Sequence, residues 1–323
     1  MILVTGGAGY IGSYAVRCLR ARGDEVVVLD DLSSGHREAV GDAELVVADV
    51  CDRDAVRDVF AKYPIESVCH FANLILIDES VREPEKYFKV NVSGGVNLLA
   101  AMRKHGIKNF IFSSSAAVYG SPESQPISES APLRPINPYG LTKVVFETTI
   151  EYACRHWGLR AAALRYFNAA GAAPDGSIGE RHEPESHVIP IALEVAAGKH
   201  ESLHVFGSDY PTPDGTCRRE FVHVDDIAEA HVLALDALKT RGGFRAYNIG
   251  AGIVLSVREV IKAVESVTGK LLPVEDSPRR PGDPPMLEAD STRIRKELGW
   301  ESAFTDFSKI VETAWRWSQE PKF

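Results

Sequence analysis

The chain has 323 residues, 45% of them hydrophobic and 25% charged, a globular balance long enough for one large α/β domain beside a smaller one. Its formal net charge of −9 argues against broad affinity for nucleic acid or an anionic membrane, which both need clustered Lys and Arg. No apolar run approaches the roughly 20 residues needed to span a bilayer.

Met1-Ile-Leu-Val-Thr5 reads directly as a strand, without a basic leader or cleavage signal. The five cysteines, Cys18, Cys51, Cys69, Cys154 and Cys217, form no CxxC pair or metal knuckle. Their scatter suits a reducing compartment, so a cytoplasmic location is expected. Strands are predicted at Ile2–Val4, Val26–Leu29, Leu45–Val47, Ser67–Phe71, Phe110–Ser113 and Ala162–Tyr166. Helical patterns lie between them near Gly12–Arg22, Asp54–Tyr63, Glu85–Lys104 and Tyr139–His156. Such alternation implies right-handed crossovers and a parallel sheet covered on both faces. After about Asn168 the regularity breaks, and Gly171–Glu185, Gly207–Gly215 and Ser277–Pro285 read as ligand-facing loops. The expected fold is therefore α/β: a Rossmann-type doubly wound sheet with a smaller α/β substrate-binding lobe. Its domains would be 1–168 and 169–323, with roughly 219–250 packing back on the first.

Gly6, Gly9 and Gly12, with Tyr10 and Ile11 between them, form G-x-x-G-x-x-G where the first strand meets a helix. Such glycines allow a tight turn, backbone approach to a pyrophosphate and close helix packing. The helix N-terminus supplies free N–H groups for the phosphates. Asp30 and Asp31 end the second strand at the spacing of a ribose-binding acid, which favours NAD over NADP. Ser33 follows them, and Asp49-Val50, at the end of the third strand, reaches the same rim for the adenine.

Pro138-Tyr139-Gly-Leu-Thr-Lys143 holds Y-x-x-x-K, which puts a phenol and an ammonium on one helix face. Asn137 is the expected N-cap and Pro138 the first helical residue. An ordinary tyrosine has a pKa of about 10, so Tyr139 needs a lowered value, helped by Lys143, to act as general base. Ser115 precedes Tyr139 by 24 residues, in Ser113-Ser114-Ser115 at a strand's end. Ser115 is expected to pass a proton to Tyr139, and Ser114 to cap backbone. His223-Val-Asp225-Asp226 is read as a strand–helix junction. No second histidine cluster is visible, and no metal is expected.

These motifs, with Leu164-Arg-Tyr-Phe-Asn168, resemble the extended short-chain dehydrogenase/reductases. Asp209-Tyr-Pro-Thr-Pro-Asp-Gly-Thr216, Phe221-Val-His-Val-Asp225 and Pro278-Arg-Arg-Pro-Gly-Asp283 resemble that family's UDP-sugar 4-epimerase branch, and the similarity runs from Ile2 to about Trp317. The resemblance implies an isomerase with tightly held NAD, acting at C4 of UDP-glucose and UDP-galactose through a 4-keto sugar. Ser115, Tyr139 and Lys143 would be catalytic. Phe71, Ala72, Asn73, Asn91, Ser113 and Phe167 would line the NAD site, with Tyr166 beside the nicotinamide. Asn168, His187, Val188, Phe206, Arg219, Arg280 and Asp283 would join Ser115 and Tyr139 around the UDP-sugar. Arg219 and Arg280 can fork onto a diphosphate, and Asp283 can take ribose hydroxyls. Leu287 stands where the branch limits its sugar pocket. A homodimer is implied, built on the Glu85–Lys104 and Tyr139–His156 helices.

The segment Asn73-Leu-Ile75-Leu-Ile-Asp78 departs from the family pattern, as do Glu220 and Phe221. Ala116-Ala117 stands where a sugar-nucleotide dehydratase needs Asp-Glu, which argues against that reaction. Alternatives are a 4-epimerase for UDP-glucuronate, a UDP-pentose or UDP-GlcNAc. A non-catalytic NAD sensor is a weaker reading, because sensing needs no Ser115–Tyr139–Lys143 trio.

Overall fold

Short, mostly buried strands of four to seven residues build the centre of the molecule, a computed structural model that describes residues 1–280 and 283–323. The first half runs β1 (Ile2–Thr5), α1 (Tyr10–Ala21), β2 (Val26–Asp30), β3 (Glu44–Val47), α2 (Arg53–Lys62) and β4 (Ser67–His70). It continues through α3 (Ile77–Arg82), α4 (Pro84–Tyr87), α5 (Gly95–His105), β5 (Asn109–Ser113), α6 (Pro138–Trp157) and β6 (Arg160–Tyr166). Then come β7 (Asn168–Ala170), α7 (Val188–Ala196), β8 (Leu203–Phe206), β9 (Arg218–His223), α8 (Val224–Ala237) and β10 (Gly243–Ile249). The chain closes with β11 (Ile253–Ser256), α9 (Val257–Thr268), β12 (Val274–Ser277), β13 (Met286–Leu287), α10 (Thr292–Leu298) and α11 (Phe307–Gln319).

Seven strands form one sheet in the order β10-β6-β5-β4-β1-β2-β3, and every pairing in it is parallel. Parallel strands are covered on both faces, so neighbouring residues of one strand serve opposite cores. Ile2 and Val4 pack with Val16 and Leu19 of α1 and with Ile227 and Ala230 of α8. Leu3 packs the other way, with Val56 of α2, Leu98 of α5 and Phe146 of α6. The chain reverses direction across the sheet between β1 and β4. At their carboxyl ends such a reversal opens a crevice, the usual ligand position in open α/β sheets.

A second sheet places β9 between β11 and β13, with β7 also pairing with β9, while β8 and β12 make a parallel pair. Its core lies among α7, α9 and α11, around Leu193, Val260 and Ile310.

The structure corrects two sequence expectations. The single helix predicted over Glu85–Lys104 winds as a π-helix over Phe88–Gly94 between α4 and α5. Periodicity cannot show a widened turn, which often marks a functional site. Here the turn lets buried Asn91 accept from Leu74 N at 2.8 Å and donate back to Leu74 O at 3.0 Å. The helix α3 lies where no element was predicted. Pro281 and Gly282, within the Ser277–Pro285 loop and the Pro278–Asp283 motif, lie outside the described residues. No helix among the described residues is long and apolar enough to cross a membrane, and all five cysteines are free thiols.

Candidate active site

The loop after β1 turns so tightly that two of its glycines admit no side chain. Gly6 has φ +71°, and a Cβ there would fall 2.4 Å from Ala72 N, in the loop after β4. A Cβ on Gly12 would fall 2.0 Å from Gly6 O. Gly9 is the N-cap of α1 without any side-chain cap, and the helix has no acid in its first turn. Its leading N–H groups and dipole therefore remain available to an anion.

Asp30 is buried and ties the turn to the end of β2, accepting from Ala8 N and Leu32 N, each at 2.9 Å. Burial raises its carboxyl above the usual range, while the two N–H donors oppose that rise. Asp31 instead accepts from Ser33 N and Ser33 Oγ. Asp49 is exposed at the end of β3 and accepts from Cys51 N, next to buried Val50. Tyr10 donates its hydroxyl to Gly171 O at 2.6 Å. Ile11 packs sideways into the core.

On the far side of the crevice Phe71 N donates to Thr5 O, and the Phe71 ring lies 4.7 Å from that of His231. Asn73 follows, its amide nitrogen and oxygen both buried without a hydrogen-bond partner among the described residues. Buried amide groups are rarely left unmet, because each costs about 1–3 kcal/mol. The cleared backbone of the glycine turn, the uncapped helix end, the acid on β2 and this idle amide fit a dinucleotide.

Asn137 accepts from Gly140 N at 2.8 Å and Pro138 begins α6, so Tyr139 and Lys143 share the face turned into the crevice. Both are buried, and Lys143 Nζ lies 5.6 Å from the Tyr139 ring centroid. Lys143 donates to Ser113 O at 2.9 Å. Burial pulls the ammonium down to about 7, against the opposing charge of Glu147. Burial also raises the Tyr139 phenol above its ordinary value, and the Ser115 hydroxyl draws it partly back. The lowered tyrosine value expected from the sequence is thus not produced by the protein's own groups, because desolvation of the phenolate prevails. Ser113 Oγ and the Tyr166 hydroxyl lie 2.7 Å apart.

The reading of the serines also changes. Ser114 makes no backbone cap: its buried hydroxyl donates to Glu147 Oε1, and Glu147 pairs with buried Arg165. Ser115 is the residue that caps, accepting from Ala117 N at 3.1 Å, so its own proton stays free to donate. The Glu147–Arg165 pair and Thr142, which receives an Asn91 N–H at 3.1 Å, were missed in the sequence. The i, i+4 spacing of Lys143 and Glu147 is the one local signal that marks Glu147 as facing the site; nothing local marks its pairing with Arg165.

The expected sugar-nucleotide residues lie largely on the second sheet and its loops. Asn168 donates to Glu220 O at 2.8 Å. Leu287 on β13 pairs in register with Arg219 on β9. Arg219 is salt-bridged to Asp283, and the Arg280 guanidinium lies 4.1 Å from the Phe206 ring centroid. Phe167 packs beside Ala116 and Val118, while Val188 opens α7 and packs into the second core.

His223 is structural, as its junction position suggested. It accepts from Asp225 N and stacks on Phe304, and burial lowers it to about 4. The expectation of no second histidine cluster is overturned, because the loop before α7 gathers His182 and His187 around Glu180 and Glu185. A folded loop supplies no repeating pattern from which this convergence can be read.

Comparison with known proteins places this geometry. Residues 2–250 match the NAD dependent epimerase/dehydratase family. The chain belongs to that family. Among curated members it is 47% identical over 319 residues to a UDP-glucose 4-epimerase of Lacticaseibacillus casei, covering 98% of this chain and 96% of that protein. The crystal structure of UDP-glucose 4-epimerase from Brucella ovis in complex with NAD superposes with a TM-score of 0.94 at 45% identity, covering 97% and 96% of the two chains. The Bifidobacterium longum enzyme in complex with NAD+ and UDP also gives 0.94, at 35% identity and 99% and 98% coverage. The family's seven-stranded parallel architecture is therefore the one seen here.

Proposed function

We propose that this chain is a UDP-hexose 4-epimerase that interconverts UDP-glucose and UDP-galactose with bound NAD. The observation that carries the reading is buried Tyr139, grouped with Ser115 and Lys143 at the rim where the glycine turn opens. Full-length similarity to UDP-glucose 4-epimerases supports the substrate.

Tyr139 takes the proton of the sugar 4-hydroxyl, with Ser115 as donor and relay between them. Bound NAD supplies reversible hydride acceptance and the positive charge that offsets desolvation of the phenolate. The 4-keto sugar turns within the site and regains hydrogen on its other face, with Tyr139 returning the proton to its oxygen. Lys143, anchored on Ser113 O, places a buried cation near the phenol and would hold the cofactor ribose. Buried Tyr139 and Lys143 lie away from water, which protects the keto intermediate.

Gly6, Gly9, Gly12 and the backbone of Tyr10 and Ile11 would hold the pyrophosphate. Asp30, Asp31 and Ser33 would take the adenosine ribose, and Asp49 and Val50 the adenine. Phe71, Ala72, Asn73, Asn91, Ser113, Tyr166 and Phe167 would complete the cofactor wall. On the sugar-nucleotide side, Arg219 and Arg280 would receive the diphosphate after Asp283 turns to ribose hydroxyls. Asn168, His187, Val188, Phe206 and Leu287 would frame the remainder. Val96 on α5 and Leu141, Tyr152 and Trp157 on α6 expose apolar surface that supports a homodimer through these helices.

Leu287 is smaller than a tyrosine, which favours tolerance of an N-acetylated sugar as a secondary activity. Purified protein given UDP-galactose without added reductant should form UDP-glucose. A panel with UDP-GlcNAc, UDP-glucuronate and UDP-xylose ranks the sugars. Turnover of UDP-glucuronate or UDP-xylose alone would replace the hexose assignment.

A further inference from the structure

The loop between β7 and α7 gathers four ligating side chains, only one of which has a place in the function proposed above. Glu180, His182, Glu185 and His187 each direct one ligand atom inward, and those atoms all lie within 4.8 Å of one another. His187 Nδ1 stands 2.8 Å from Glu185 Oε1 and 2.9 Å from Glu180 Oε1. His182 Nδ1 stands 3.2 Å from Glu180 Oε1 and 3.7 Å from Glu185 Oε2.

Each carboxylate lies in ion-pair range of both imidazoles, yet the hydrogen bonds within the quartet are incomplete. His187 Nδ1 bonds to Glu185 Oε1, which also accepts from the Ser186 and His187 backbone N–H groups. Glu180 Oε1 and His182 Nδ1 nevertheless remain buried without an aligned hydrogen-bond partner among the described residues. Their separation permits a hydrogen bond and their alignment denies it. The Glu180 side chain is only 7% exposed, so its idle oxygen is turned inward, away from water.

A tetrahedral ion with bonds of about 2.1 Å holds its ligands about 3.4 Å apart. The four carboxylate–imidazole spacings, 2.8 to 3.7 Å with Glu185 measured through either oxygen, lie around that edge, and all four ligand atoms fall within 4.8 Å of one another. The two carboxylates hold both imidazoles charged when no ion is bound; a divalent cation displaces those two protons and neutralises the remaining charge of −2. Mixed nitrogen and oxygen donors suit zinc and its neighbours, whereas calcium and magnesium take oxygen donors. The backbone bonds to Glu185 supply the outer support that orients a ligand.

We propose that Glu180, His182, Glu185 and His187 form a closed four-coordinate site for a divalent transition cation of the zinc class. The ion would fix the 180–187 loop ahead of α7 in one conformation, the one in which the His182 ring meets the Tyr10 ring edge-on at 6.2 Å. Its role is structural, and it stands independently of the sugar the enzyme uses.

The full-length protein, stripped with a chelator and dialysed, is titrated with Zn²⁺ alone against a chromophoric competitor. One Zn²⁺ per chain is expected, with a rise in Tm that chelator reverses. Co²⁺ alone should give the intense ligand-field absorption of a four-coordinate ion. His182→Ala and Glu180→Gln should each weaken Zn²⁺ binding at least about tenfold while circular dichroism shows the native fold. Failure of the folded wild-type protein to take up a stoichiometric ion would overturn the site. So would a folded Glu180→Gln that binds as tightly as the wild type. Should both variants fail to fold, a weak six-coordinate Co²⁺ spectrum on the wild type would overturn it equally.

Discussion

Lys143 Nζ donates to the carbonyl oxygen of Ser113 at 2.9 Å, joining the inner face of α6 to the end of β5. The bond fixes a cation beside Tyr139 in a setting where burial holds Lys143 down to about 7, against the pull of Glu147. Lys143 is thus positioned by a backbone atom 30 residues earlier in the chain.

This relationship sets a pH dependence of stability. Lys143 has a lower pKa in the folded protein than in the unfolded chain, so the unfolded chain binds more protons between about 7 and 10.5. Stability linked to this residue therefore rises with pH across that window and is smallest below it. Thermal melts of cofactor-free wild type and Lys143→Met at pH 6.5 and 8.5 isolate the effect. The variant should gain Tm relative to wild type at pH 6.5, and the gap should narrow at pH 8.5. An equal gap at both pH values contradicts the burial argument.

Tyr139→Phe removes one oxygen from a buried ring without opening a cavity. Turnover of UDP-galactose should fall roughly 10²–10⁴-fold, the range of a lost acid–base group, while NAD remains bound. Single-turnover assays together with cofactor fluorescence check both halves. Wild-type rates in this variant would remove the tyrosine from the reaction.

The buried Glu147–Arg165 pair, which also takes the Ser114 hydroxyl, makes Glu147→Gln costly. The change leaves the Arg165 charge without its partner, at about 3–5 kcal/mol. Urea denaturation should show a lower midpoint with an unchanged slope. A midpoint equal to wild type would mean that water or Tyr119, which accepts from Arg165 at 2.9 Å, carries the charge instead.

Gly12→Ala places a methyl 2.0 Å from Gly6 O, and backbone atoms cannot yield by rotating a side chain. The turn must open, so the protein should purify without NAD and melt at a lower temperature. Absorbance and cofactor release on denaturation measure the first effect, and calorimetry the second.

Asn73→Ala separates two roles of the same segment. Because the amide has no partner among the described residues, its loss should leave cofactor-free stability equal or higher. NAD affinity should fall by about five- to tenfold, the worth of one hydrogen bond of about 1 kcal/mol or slightly more. Equilibrium dialysis of the stripped protein reads the affinity. An unchanged affinity would take Asn73 out of the cofactor wall.

Local patterns carried much of the reading. The strand–glycine–helix run of β1 and α1, the Asn137 cap and the Tyr139–Lys143 spacing are short-range features, because turn sterics and helix periodicity act over a few residues. The apolar runs of the central strands were legible for the same reason. What the sequence by itself determined was therefore the sheet class, the glycine turn and the helix face that carries Tyr139 and Lys143. The tertiary structure alone decided which partners those groups meet. Ser114 finds Glu147 rather than backbone, Ser115 caps Ala117, and Lys143 finds Ser113 O. It also decided that Asn91 sits in a π turn and that four side chains of one irregular loop converge. Such contacts depend on where separate elements and loop backbones come to rest in space, and no period in the chain encodes that direction.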